Sequence, residues 1–393
     1  MNSFQDKVRG VLLGTAYGDA LGAPIEKLSY EEIKQQYGRV SSLKTKWYKE
    51  DYAPEVRLNR MRGNGIVTDD TLMTLALIDT YSTLERHLDA YDMGGEFIKE
   101  IAFKERYIPE FGRNAMIQDR IFYPEKYIFL RHVLANCEPR EGGIGNMVNC
   151  GAAMYIAPVG VVNACNPRGA YEEAIAFAMG HQCSYGLEAA GVLAACVAKA
   201  FEHGVTIQAI IDTALEYAKD GTKEAIYALV NEAEKIKGQK KDKDFVVANF
   251  HKVIAQYSPM GNDVKRQMNK VGLASNHYVP SRLSSIEELP LALGFLNLHD
   301  GDFQDAVLDG INSGRDTDSI GVMIGVISGA MYGSSIVSAN DIDLLEQANQ
   351  LNLLKNADRF YQTVQKIVDN DLSANQVRQS MIESMVRGVK VDR

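Results

Sequence analysis

Residues Asp316 to Gly333 read DTDSIGVMIGVISGAMYG, and glycine recurs there at every fourth position as Gly321, Gly325, Gly329 and Gly333. On a helix that spacing lays a bare ridge along one face. Each interior glycine costs about 0.5–1 kcal/mol relative to alanine, so the ridge persists only where another helix backbone comes close. Near the start of the chain, GVLLGTAYGDALGAPIE repeats the pattern with Gly10, Gly14, Gly18 and Gly22. Both helices are expected to be central and tightly packed, with the glycines serving packing and not chemistry.

Working outward, helical periodicity dominates the chain. It predicts helices over Asp70–Leu84, Tyr171–Met179, Leu187–Phe201, Thr206–Ala218, Lys223–Ile236, Phe303–Ile311, Asp341–Val368 and Ala374–Val386. Alternating polar and apolar runs are scarce, so the fold class is all-α. The exceptions are two loop-like spans, Lys44 to Asn64 and the aromatic-rich Arg106 to Phe129. No linker rich in Pro, Gly or Ser divides the chain, and no repeat of about 20–50 residues is present, which predicts one domain over residues 1–393.

The 393 residues are 46% hydrophobic, ample for a sizeable core. A formal charge of −9 argues against a phosphate backbone as the main partner, since nucleic-acid binders carry a basic face. The charged run Glu232 to Asp244 reads as a solvated helix end. Cys137, Cys150, Cys165, Cys183 and Cys196 form no CxxC pair and read as reduced thiols of a cytoplasmic protein. No apolar run reaches the roughly 18–20 residues of a membrane span, and the N-terminal VLLGTAYG is read as the first structural helix.

Two helix starts carry the chemistry. Thr68-Asp69-Asp70-Thr71 leads into LMTLALI, and Asp316-Thr317-Asp318-Ser319 leads into the second glycine ridge. One oxygen suffices for an N-cap, whereas two carboxylates and a hydroxyl at each start exceed that need. If the clusters converge they suit a hard divalent cation; if they stay apart they are twin caps. Glu26 follows Pro24, which is expected to end the first helix and leave the carboxylate in the loop beyond. Asp19, among small and apolar residues, is read as structural, bonded to a neighbouring loop. The run GGIGNMVNCGAAMYIAPVG, residues 142–160, fits either a phosphate cradle at a helix start or an ordinary tight loop, and His181 reads as a cap or loop partner. HExxH, GxSxG, zinc-type His/Cys spacing and a Walker sequence are all missing from the sequence.

Taken together, GVLLGTAYGDALGAPIE, GIVTDDTLMTLAL, NCGAAMYIAPVG, GHQCSYGLEAA and SGRDTDSIGVMIGVISGAMYG resemble the ADP-ribosylglycohydrolase family, which includes the dinitrogenase-reductase-activating glycohydrolases and the J1-crystallins. The resemblance implies a compact, orthogonal helical bundle with two divalent cations, Mg or Mn, cleaving a glycosidic bond at the ribose anomeric carbon. Its metal ligands would be Thr68, Asp69, Asp70, Asp316, Asp318 and Ser319, and its catalytic groups Glu26, Asp69 and Asp316. Asn149, Cys150, Gly151, Ala152 and Met154 match the segment that wraps a diphosphate, and His181 matches a residue lining the nucleotide cleft. Glu26, Asp69, Asp70, Asp316 and Asp318 would bring −5 against the +4 of two cations, a slightly anionic site suited to an oxocarbenium-like transition state.

The chain also departs from the family pattern. Arg315 and Ser319 replace the usual Gly and Thr of the second motif, and Tyr155 stands where many relatives carry Arg. An insertion or lid at about residues 104–130 and an extended region at about 223–276 are further differences. The expected substrate is an ADP-ribosylated side chain or a free ADP-ribose conjugate. The alternatives are an N-glycosidase for a smaller ribosyl compound such as a nucleoside, and a silent binding or structural homologue. The aromatics Tyr107, Phe111, Phe122, Tyr123, Tyr127 and Phe129 are read as a satellite core, with a base-stacking lid as the other possibility.

Overall fold

A computed structural model describes residues 3–121, 123–147, 150–257 and 286–387. In chain order the helices are α1 (Phe4–Gly22), α2 (Tyr30–Tyr37), α3 (Asp69–Leu84), α4 (Ala90–Asp92), α5 (Ile98–Ala102), α6 (Ile117–Arg120) and α7 (Tyr123–Leu134). They continue with α8 (Ala157–Val162), α9 (Pro167–Ala178), α10 (Ser184–Ala200), α11 (Ile207–Tyr217), α12 (Asp220–Ile236) and α13 (Lys243–Ile254). The last are α14 (Glu288–Leu298), α15 (Phe303–Asn312), α16 (Thr317–Tyr332), α17 (Ala339–Asn349) and α18 (Leu353–Arg387). The fold is all-α apart from one hairpin, in which β1 (Glu105–Ile108) pairs antiparallel with β2 (Arg113–Met116).

The two glycine ridges meet. Helices α1 and α16 run antiparallel, so that Gly10 faces Gly329, Gly14 faces Gly325 and Gly18 faces Gly321. A Cβ on Gly10 would lie 2.5 Å from the Gly329 carbonyl oxygen, and the inner two pairs are closer still. No side chain larger than hydrogen fits between these backbones. At one end of the zipper Gly22 abuts the backbone of Thr317 and Asp318, and the Thr317 hydroxyl donates to the Gly22 carbonyl at 2.8 Å. The C-terminal end of α1 and the N-terminal end of α16 therefore coincide. Pro24 starts a 3₁₀ turn, Ala23–Ile25, that ends α1 and releases Glu26 into the loop, as the sequence predicts.

Around this pair lies a continuous hydrophobic core, to which α3, α10, α14 and α18 contribute. Helix α14 is buried along its whole length beside α16, and α18 crosses α1 and α3. Among the described residues no helix is long and apolar enough to cross a membrane.

Two predicted boundaries need correction. The single helix expected over 341–368 breaks after Asn349, where Gln350 and Asn352 adopt left-handed backbone with φ of 57° and 52°. The buried Asn349 side chain explains the break: it accepts from the Val67 N–H at 3.0 Å and donates to the Gly65 carbonyl at 2.7 Å, fixing the segment that leads into α3. Conversely, the expected gap at 369–373 is helical, because α18 runs unbroken to Arg387. The 106–129 span is not a loop throughout, since it holds the hairpin, α6 and most of α7. Its aromatics separate: Phe129 is buried against Phe97 and His181, Tyr127 is exposed, and Phe122 with the side chain of Tyr123 lies outside what is described. The predicted extension at 223–276 comprises α12 and α13, with residues 258–276 outside the described residues.

Two measurements test this architecture. Gly14→Ala adds a methyl where backbone already stands, so stability should fall by roughly 1–2 kcal/mol, the overpacking cost less the gain in helix propensity. A raised melting temperature in that variant would reject the zipper. His87 lies between Glu173 Oε2 at 2.5 Å and Asp371 Oδ2 at 2.9 Å, linking α18 to α9. The Glu173 bond outweighs burial and lifts the imidazole pKa to about 9. A base with a raised folded pKa contributes stability that is complete below its unfolded value of about 6.5 and is lost as pH rises through the folded value. The melting temperature should therefore decline between about pH 6.5 and 9, and His87→Gln should flatten that decline.

Candidate active site

The two acidic helix starts converge at the end of the glycine zipper, and of their carboxylates Asp318 accepts from its own first turn, at the Ser319 N–H, 3.1 Å. Thr68, at the N-cap position of α3, makes no side-chain cap bond, and neither does Asp316 at that of α16. Asp19 on α1 does the capping of α3 instead. It is fully buried and accepts from the Thr68 N–H at 2.9 Å, the Thr71 N–H at 3.1 Å and the Thr71 hydroxyl at 2.5 Å. The structural role read for Asp19 is thus what the side chain does. With those donors satisfied elsewhere, Asp69 and Asp70 are available to the site.

A hydroxyl from each helix start reaches Asp70, since Ser319 donates to Oδ1 at 3.0 Å and Thr68 to Oδ2 at 3.3 Å. Oxygens of Glu26, Asp316 and Asp318 all lie within 4.8 Å of one another. A second group with the same spacing contains Cys150, Glu288 and, shared with the first, Asp316. Burial pushes Asp70 and Asp318 well above the usual carboxylate range, aided by their acidic neighbours. Burial, then Glu288, raises Asp316 to about 7. Carboxylates so placed cannot all ionise without a cation among them, and an oxygen-rich set with hydroxyls fits a hard divalent ion.

Residues 1–370 match the ADP-ribosylglycohydrolase family. The chain belongs to that family. Among relatives of the whole chain, the uncharacterized protein YegU of Escherichia coli K12 is 25% identical over 355 residues, 88% of this chain and 94% of its own. An uncharacterized protein of Archaeoglobus fulgidus is 27% identical over 329 residues, 83% of this chain and 88% of its own. A solved ADP-ribosylglycohydrolase-related protein complex shares the fold, with a TM-score of 0.57 and 21% identity over 93% of this chain and all of its own. Family membership makes the chain a glycosidase in the broad sense, of a family that is generally metal-dependent.

The residues matched to ADP-ribosylglycohydrolase motifs have distinct placements. Glu26, Thr68, Asp70, Asp316, Asp318 and Ser319 come together as described. Asp69 turns aside and pairs with Arg120. Cys150 lies against Asp316, with Sγ 3.6 Å from Oδ2. The Ala152 N–H donates to Gln182 Oε1 at 2.8 Å, Met154 is buried, and Gly151 precedes the 3₁₀ turn Ala153–Tyr155. His181 is fully buried, stacked against Phe129 and bonded through Nδ1 to the Tyr155 hydroxyl at 2.9 Å. It has no exposed surface with which to line a cleft in this conformation. Asn149 lies outside the described residues. Arg315 extends to Glu287, with Nη1 at 2.9 and 3.1 Å from its two oxygens.

Several site residues carry no signal in the sequence. Arg62 pairs with Glu26 and, through Nε at 2.8 Å, with the fully buried Glu110. Arg120 joins Glu110 to Asp69. The result is a largely buried chain of alternating charge, Glu26, Arg62, Glu110, Arg120 and Asp69, two members of which come from residues 104–130. Burial raises the Glu26 carboxyl, but Lys27 and Arg62 outweigh it and hold Glu26 below the usual range. Glu288 reads in sequence as an ordinary acidic residue in a helix first turn. Successive members of the Glu26 to Asp69 chain are 10 to 51 positions apart in sequence, beyond any local pattern.

Asp19→Ala leaves the Thr68 and Thr71 N–H groups buried without an acceptor, which should cost about 1–3 kcal/mol. Because the start of α3 then frays, divalent-cation affinity should fall with stability. Calorimetric titration of a folded Asp19→Ala protein with unchanged affinity would separate Asp19 from the site.

Proposed function

We propose that this protein hydrolyses the bond at the anomeric carbon of an ADP-ribosylated side chain or free ADP-ribose conjugate, using two divalent cations, Mg2+ or Mn2+. The observation that carries the reading is the convergence of Glu26, from the loop beyond α1, with Asp316 and Asp318 at the start of α16 and, through the Ser319 hydroxyl, with Asp70 of α3. Thr68, Asp70, Asp316, Asp318 and Ser319 would hold the cations, and Asp69 would join them only by leaving its pair with Arg120. When bound, those ions supply Lewis acidity toward ribose hydroxyls and water.

The remaining chemistry belongs to the chain's own side chains. Glu26 is kept as a carboxylate by Arg62 and Lys27, which suits a base and not a proton donor. It orients a water on the anomeric carbon and accepts its proton as the new C–O bond forms and the bond to the leaving group breaks. The anionic surroundings favour the positive charge that develops on the sugar ring. Arg62, held by Glu110, is the positioning residue for Glu26.

One observation favours a smaller ribosyl substrate as the second reading. Tyr155, at the position where many relatives carry Arg, points into the core and bonds to His181, so it presents no cation to a diphosphate. Product analysis by mass spectrometry decides between them, using ADP-ribosyl-arginine, ADP-ribosyl-serine, O-acetyl-ADP-ribose and ribonucleosides, each with magnesium, manganese or chelator. Cation-dependent release of ADP-ribose is the expected result. Free ribose from nucleosides alone selects the second reading, and no turnover by cation-loaded protein on any of them rejects both.

A further inference from the structure

We propose that Cys150 and Glu288, together with Asp316, form a sulfur-containing cation position that shares Asp316 with the Glu26, Asp316 and Asp318 set. This chain would then favour a borderline divalent ion such as Zn2+ at that position over Mg2+. The inference rests on the cation-binding reading of the carboxylate site, and it adds two ligands from elements outside the acidic motifs.

Geometry carries the proposal. The Cys150 sulfur and oxygens of Glu288 and Asp316 lie within 4.8 Å of one another. With bonds of about 2.3 Å to sulfur and 2.1 Å to oxygen at a tetrahedral angle, ligand atoms stand about 3.6 Å apart. Cys150 Sγ and Asp316 Oδ2 are separated by 3.6 Å. Glu288 supplies an independent sign of a missing partner. It is 2% exposed at the start of α14, and among the described residues its buried Oε2 has no hydrogen-bond partner. A carboxylate oxygen left so in a protein interior is costly, and a cation between it, the thiolate and Asp316 would satisfy all three. The Cys150 proton leaves to solvent as the ion binds. Thiolate in a carboxylate set shifts preference from Mg2+, which takes oxygen ligands, toward Zn2+ and Co2+.

The test uses the full chain, stripped with chelator and titrated with Co2+, with absorption spectra and calorimetry recorded together. A sulfur-to-cobalt charge-transfer band in the near ultraviolet is expected. It should vanish in Cys150→Ser, weaken in Glu288→Gln and persist in Cys165→Ser, whose thiol is exposed and belongs to neither acidic group. Zn2+ affinity should fall at least tenfold in Cys150→Ser while Mg2+ affinity changes less than threefold. X-ray absorption on the zinc-loaded wild type, which needs no variant to fold, should show a sulfur scatterer at about 2.3 Å. Stoichiometric cation binding without the band and without the scatterer overturns the sulfur position and leaves an oxygen-only site intact. Failure to bind any divalent cation overturns both.

Discussion

The contact on which the rest depends is the backbone-to-backbone packing of α1 against α16. Glycine every fourth residue on both helices lets two peptide chains approach where even a methyl group would collide. Such an interface tolerates little slippage, because moving one helix along the other by a residue brings a side chain into the gap. Its fixed register sets the distance between Glu26, just beyond α1, and Asp316 and Asp318, at the head of α16. It also locates Asp19, which from the last turns of α1 holds the first turn of α3. The placement of these carboxylates follows from helix packing, and the loops only complete it.

That arrangement gathers charge in a water-poor place, and two arginines shape how the charge is distributed. Arg120 is shared between Glu110 and Asp69, and Arg62 between Glu110, Glu26 and, at 4.0 Å, Asp318. Removing either guanidinium would leave two buried carboxylates uncompensated, the situation in which breaking a buried pair is most damaging. The two arginines also divide the carboxylates by role. Glu26 is kept ionised, whereas burial and like-charge neighbours hold Asp70, Asp316 and Asp318 up.

How legible this was in the sequence depends on the range of each interaction. The glycine period, Pro24 and the two acidic helix starts are local patterns, and each fixes a local structure that the molecule contains. Helix boundaries at 350 and 369–373 were not legible, because no glycine or proline marks them. The break depends on the Asn349 side chain reaching residues more than 280 positions away. For the same reason the Glu26–Arg62–Glu110–Arg120–Asp69 chain was hidden, since its members are unremarkable until folding joins them. Cys150 was named as part of a loop, while its proximity to Asp316 and Glu288 required three separate elements to meet. His181 shows the converse case: a motif match fixed its position in the chain but not its side chain, which is enclosed between Phe129 and Tyr155.

The handling of helix ends explains why two such clusters can coexist at all. A helix N-terminus attracts one carboxylate, through unsatisfied N–H groups and the helix dipole, and an aspartate placed there ordinarily turns back to cap. Had Asp69 or Asp70 done so, its oxygens would face its own helix and not the site. Asp19 removes that competition by satisfying the donors of Thr68 and Thr71 from a neighbouring helix. The positive end of α3 still favours the charge of Asp69 and Asp70, while their oxygens go to Arg120 and to the Ser319 hydroxyl. Separating the residue that caps α3 from the acidic residues of its first turn lets that helix end present Asp70 to the point where α16 begins. Since Asp19 acts from α1, this separation is itself a product of the glycine zipper.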